Sequence, residues 1–131
     1  MSFPIPHVHK QVTARIKAAT PWQYVTANME PKPVNGSVYP YVRFVDFQTV
    51  RNPRSARNGK YCHVWVSLYS DETSPGTIYA ASESITTALA QPLSLSHPFQ
   101  CVSGVLLDSK VRVKDGVSGI DLEFRYQVEE S

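Results

Sequence analysis

Apolar positions recur with a clear period in five stretches of the chain and lose it between them. Val8, Val12, Ile16 and Ala19 lie at helical spacing, behind Pro6, which a first turn tolerates, and ahead of Pro21, which cannot continue a helix. They predict a helix over residues 6–19, with Lys10, Arg15 and Lys17 mostly off its apolar stripe. Residues 20–40 hold Pro21, Pro31, Pro33, Gly36 and Pro40 and predict an irregular connection with a short strand near 22–26. Tyr39–Phe47 is rich in aromatic and β-branched residues and predicts a strand. Strict alternation would set Tyr41, Arg43, Val45 and Phe47 on one face and Val42, Phe44 and Asp46 on the other.

Lys60–Ser70 alternates cleanly, with Cys62, Val64, Val66 and Leu68 opposite Tyr61, His63, Trp65, Ser67 and Tyr69. Between these two strands, residues 48–59 have no period and contain the turn pairs Asn52-Pro53 and Asn58-Gly59, so a hairpin with a long polar loop is expected. A second helix is announced by Ser74 as N-cap and Pro75 at the first helical position. Its stripe is Ile78, Ala81, Ser82, Ile85, Ala88 and Leu89, and Pro92 ends it. Phe99–Val113 predicts a long strand bent near Gly104 or Asp108-Ser109. The turn over residues 114–119 contains Asp115-Gly116. In the last segment Ile120, Leu122, Phe124, Tyr126 and Val128 point one way, and Asp121, Glu123, Arg125 and Gln127 the other. The expected fold is one α+β domain over residues 1–131. Its antiparallel sheet has about four main strands, with two helices packed on one face, in the order helix, hairpin, helix, hairpin.

Composition narrows the function classes. At 131 residues, 42% hydrophobic and 18% charged, the chain is of globular type, and +2 net charge with a pI near 8.6 is too mild for a dedicated nucleic-acid binder. The first 20 residues lack a continuous apolar segment and a small-residue cleavage site, so no secretory signal is expected, and no run is long enough to span a membrane. Cys62 and Cys101 sit in apolar strand-like runs and are expected to be buried free thiols in a reducing compartment.

Candidate chemistry is sparse. His7-x-His9 would lie two residues apart on a helix and so not share a face, and Cys62 and His63 would point to opposite faces of a strand. No metal-ligand spacing, nucleophile elbow or phosphate loop occurs, so no catalytic residue, no metal and no cofactor is expected. His97 in Ser96-His97-Pro98 reads as a solvated turn residue, and Asp121 with Glu123 as a solvated strand face. The unusual features are the basic loop, with Arg51, Arg54, Arg57 and Lys60, and large aromatics, Tyr41, Trp65 and Tyr69, on a sheet face that water alone would not favour. The loop fits a solvated tip, a phosphate contact or a protein interface, where arginine is enriched. The aromatic face needs covering by the same chain or by another subunit.

Taken in order, "YPYVRF", "RNGKYCHVWVSLYS", "SPGTIYAASESITTALA" and the closing "GIDLEFRYQVEE" resemble the tail terminator (tail completion) proteins of long-tailed bacteriophages, prophages and gene transfer agents. The resemblance spans about residues 6–130, and its short anchors are specific through their order. It implies a non-enzymatic ring of six identical subunits at the head-proximal end of the tail tube, in the neck of a virion assembled in the bacterial cytoplasm. Such a ring stops tube polymerisation and offers a docking surface to a head-closure or connector protein. The genome passes through its channel without specific binding, and no membrane is involved. On this reading Arg51, Arg54, Arg57, Lys60, Tyr41, Trp65 and Tyr69 are candidates for subunit or ring–ring contacts. The alternatives are another oligomeric neck component of head-closure or adaptor type, or a small ligand-binding or nucleic-acid-binding α+β domain.

Overall fold

The computed structural model describes residues 4–26, 28–34, 36–55, 59–71 and 76–130. Along the chain run α1 (Ile5–Ala19), β1 (Gln23–Thr26), β2 (Tyr41–Arg51), β3 (Lys60–Ser70), α2 (Gly76–Leu89), β4 (Phe99–Lys114) and β5 (Val117–Glu130). The five strands form one sheet in the order β1-β2-β3-β5-β4. This corrects the expected architecture. The sheet has five strands rather than four and is mixed, because β1 pairs parallel with β2, Gln23 opposite Tyr41 through Thr26 opposite Phe44. The order is also not helix, hairpin, helix, hairpin, since β1 stands between α1 and the first hairpin.

Parallel neighbours need a connection long enough to carry the chain back along the strand, and residues 27–40 supply it. Side chains pin that return. Gln23 bonds both backbone groups of Lys32, and Arg43 Nη1 donates to the carbonyls of Thr26 (3.2 Å) and Met29 (2.9 Å). The remaining pairs are antiparallel, and β3 lies at the centre between β2 and β5.

The core lies between one sheet face and the two helices. Val8, Val12 and Ile16 of α1 and Ile78, Ala81, Ile85 and Leu89 of α2 join the inward row of β3 (Cys62, Val64, Val66, Leu68) and that of β5 (Ile120, Leu122, Phe124, Tyr126, Val128). The register puts these rows directly opposite each other, Cys62 to Tyr126 and Leu68 to Ile120 among them, so two period-2 patterns mesh into one apolar layer. The start of α2 at Ser74 and Pro75 lies outside the described residues.

Two joints hold the helices to the sheet and to each other. Arg15 of α1 reaches the open C-terminal carbonyls of α2, donating from Nη1 to Ala88 O (3.1 Å) and from Nη2 to Pro92 O (2.8 Å). A cation suits that end of a helix, where carbonyls lack intrahelical partners. From the sheet side, the buried Tyr126 hydroxyl donates to Leu89 O at 2.7 Å. Tyr126→Phe therefore strands a buried carbonyl and is expected to lower unfolding free energy by about 1–3 kcal/mol. Urea unfolding at neutral pH checks this, and an unchanged midpoint would show that water satisfies Leu89 instead.

Bulges set which residues face the core. Strand β2 shifts register between Phe44 and Asp46, so Val45 is the extra residue and Phe47 lands opposite Val64, packed against the core. Strict alternation had put Phe47 on the same face as Tyr41, and the bulge reverses that. In β4 the register shifts at Cys101/Ser103 and at Leu106/Asp108, beside the two places, Gly104 and Asp108-Ser109, where a bend is expected. The β4–β5 turn is tighter than the expected stretch of 114–119. Asp115 (φ 53°) and Gly116 (φ 77°) alone make it, both left-handed, as a two-residue hairpin turn requires.

Candidate assembly surface

The sheet face turned away from the helices carries the aromatics that the sequence singles out, Tyr41, Trp65 and Tyr69. At one end Tyr41 and Tyr69 are cross-strand partners and stack with ring centroids 4.9 Å apart, and Tyr39 extends the column at 5.6 Å from Tyr41. The guanidinium of Arg43 lies 5.7 Å from the Tyr41 ring centre and that of Arg112 5.9 Å from Tyr69. Arg112 also meets Asp121, Nε to Oδ2 at 2.8 Å, and Asp121 accepts from the Ser67 hydroxyl at 2.6 Å. The bonds from Asp121 and Tyr69 hold the Arg112 pKa above its ordinary value. Farther along the face, His63 Nδ1 lies 3.2 Å from Glu123 Oε2 and its ring stacks on Trp65 at 5.9 Å. The Arg125 guanidinium sits 4.6 Å from the centre of the Tyr61 ring.

The predicted candidates therefore do not form one site. Tyr41 and Tyr69 sit together at one end of the β2–β3 hairpin, with Trp65 partway along it opposite Asp46. Arg51 and Lys60 face each other as the last rung at the other end, roughly 30 Å away at the rise of a strand. Tyr41 is only 9% exposed, so of the two ways of covering the aromatic face, by the same chain or by another subunit, its stacking partners within the chain supply the first for this residue. Trp65 and Tyr69 are half-buried.

The described ends of the basic loop are tied together. Buried Asn52 donates its N–H to Gly59 O (2.9 Å) and accepts the Arg54 N–H on its side-chain oxygen (3.0 Å), while the Ser55 hydroxyl accepts the Gly59 N–H (3.0 Å). Arg51 and Arg54 are exposed around this knot, and Arg57 lies outside the described residues.

The other candidates go their separate ways. The His7 ring leans on Phe99 (5.0 Å) and that of His9 on Phe44 (4.7 Å), so the two rings diverge. Cys62 and Cys101 are buried free thiols, and burial pushes the Cys62 thiol up from 9.0 to about 12. Residue-by-residue reading missed Arg43, Arg112 and Tyr39. Arg112 was recoverable, because a two-residue Asp115-Gly116 turn fixes Lys110 opposite Asp121 and leaves Arg112 on the next rung of the same face.

No family model and no curated protein matches the chain. A solved structure does. One chain of "Virion of native gene transfer agent (GTA) particle" has this fold, with a TM-score of 0.67 and 25% identity, over 95% of the present chain and 92% of that one. The likeness thus runs over nearly the whole length of both chains.

Proposed function

We propose that this chain is a structural protein of a phage-like virion, and within that class a tail terminator. Identical subunits form a ring, with six the expected number, at the head-proximal end of the tail tube. The ring stops further addition of tube protein and presents a surface to a head-closure or connector protein, while the genome passes through its channel unbound. It has no catalytic role. The observation that carries the reading is the end-to-end likeness to a chain of the gene transfer agent virion. The ordered segments "YPYVRF", "HVWVSLYS" and "FRYQVEE" support the narrower assignment. The outer sheet face fits a contact surface better than a reaction centre, since several of its polar side chains are engaged with one another, Arg112 with Asp121 and His63 with Glu123.

The test is the solution mass by light scattering across a concentration series, with and without tail tubes, and electron microscopy of any large species. Rings of six copies, alone or at tube ends, are the expected result. A monomer that ignores tubes overturns the assignment.

A further inference from the structure

The sheet has two open margins, and most of the exposed apolar bulk among the described residues stands on them. Strand β4 is an edge with β5 as its one partner, and β2 loses its outer partner beyond Phe44, where β1 ends. Among the described residues twelve large hydrophobic side chains are exposed. Six belong to β4, with Val111 at 52% and Val113 at 73%, and four belong to the opposite margin: Met29 and Val34 in the β1–β2 connection, and Val45 and Val50 on β2. Residues 105–114 are exposed without interruption, although β4 is paired along its length.

A long, flat, apolar edge is an aggregation risk that folds normally blunt. Here Lys110, Arg112 and Lys114 and the bulges at Val102 and Leu107 restrict what can pair with β4, without removing its valines. Charge supports a match around part of the contact. Lys110 and Lys114 flank Val111 and Val113, and Asp46 adjoins Val45, while exposed Asp108 on the β4 margin and exposed Lys32 and Arg51 on the other carry the opposite sign. Two different sticky margins on opposite sides of one subunit are what a head-to-tail contact needs. A self-matching contact would cover one margin twice and leave the other bare.

We propose that the β4 edge of one copy docks on the β2 margin of the next, Val111 and Val113 against Val45 and Val50, as the repeated contact of the ring. This names the surface for the ring reading and rests on it. The experiment uses two variants of the full chain, Val111→Asp/Val113→Asp and Val45→Asp/Val50→Asp, under whichever condition the wild type associates. All four positions are exposed, so thermal unfolding should be close to wild type, and Val113→Asp alone serves if the first double variant folds poorly.

Each variant alone is expected to stay monomeric at about tenfold the concentration at which wild type assembles, a shift of roughly 1.4 kcal/mol per contact. Mixed one to one, they should form a dimer and stop there, because one intact β4 edge meets one intact β2 margin and the two remaining margins are both disabled. Rings formed by either variant overturn the proposal and leave the ring reading standing. So does a β2 variant that dimerises alone, which would mean a β4–β4 contact. Wild type that associates under no condition overturns both.

Discussion

Gly104→Val is expected to cost several kcal/mol and to leave little folded protein at 37 °C. A Cβ built on Gly104 would come within 2.8 Å of Tyr126 Cε1 and closer still to the carbonyl of Gln91, and the second is backbone that no rotamer change can move. Glycine is needed here for space rather than for a left-handed φ, because β4 crosses the C-terminal end of α2 at this residue. It is the same joint that Arg15 and Tyr126 close by hydrogen bonds. Overpacking a tight site with one methyl typically costs about 1–3 kcal/mol. Gly104→Ala should accordingly lower Tm by roughly 4 °C for each kcal/mol at this chain length, and valine, with two more methyls, should go well beyond that. Thermal unfolding of both variants followed by circular dichroism decides it. An alanine variant as stable as wild type would mean that β4 and α2 do not approach this closely. Because Gly104 is remote from Val111 and Val113, a folded Gly104→Ala chain should still self-associate like wild type.

How much of this was legible beforehand depended on whether a residue's role is set by its near neighbours. The inward rows of β3 and β5 were readable because period-2 alternation persists without a bulge over seven residues in Cys62–Leu68 and nine in Ile120–Val128. The stripe of α1 was readable for the same reason at period 3.6. Strand β2 was not, because a bulge costs the sequence nothing visible. Val45 looks like any strand valine, and only the register against β3 shows that it is the extra residue that turns Phe47 inward. The parallel pairing of β1 was invisible because four residues between prolines carry no sign of direction. What fixes it is the reach of residues 27–40 and the grip of Gln23 and Arg43 on them.

The candidate surface divides along the same line. The basic residues and aromatics of the β2–β3 hairpin stand out by residue type, yet type gave neither their roughly 30 Å separation nor the burial of Tyr41 beneath Tyr39 and Tyr69. The valines of β4 were unremarkable in sequence, since alternation with lysine and arginine reads as a half-buried strand. Their exposure follows from the strand order alone. Placing β4 outside β5 puts it beyond the reach of both helices over its outer half, and nothing in residues 105–114 themselves specifies that order.

Raising the pH above 9 is expected to destabilise the fold steeply, with Cys62 as a leading cause. Its side chain is 0% exposed, and burial, reinforced by the neighbouring Cys101 thiol, lifts its pKa from 9.0 to about 12. Burial also raises Cys101, Tyr126 and Tyr24, so these groups all shift in one direction. Each is an acid whose charged form the folded state disfavours. Below the ordinary pKa both states hold the proton and stability does not change with pH. Above it the unfolded chain releases the proton while the folded chain keeps it, so stability falls as pH rises from the unfolded value towards the folded one. One such proton is worth about 1.4 kcal/mol per pH unit. Over the interval from 9.0 to about 12, Cys62 alone would remove on the order of 4 kcal/mol, a large part of a typical domain's 5–15 kcal/mol. Urea unfolding between pH 7 and 11, with a reductant present so that oxidation does not intervene, should be flat at first and then decline. Cys62→Ala should be less stable at neutral pH, having lost a packed sulfur, but should decline less steeply above pH 9. Parallel slopes for the variant and wild type would remove Cys62 from the account and leave Cys101 and the tyrosines to carry the whole decline.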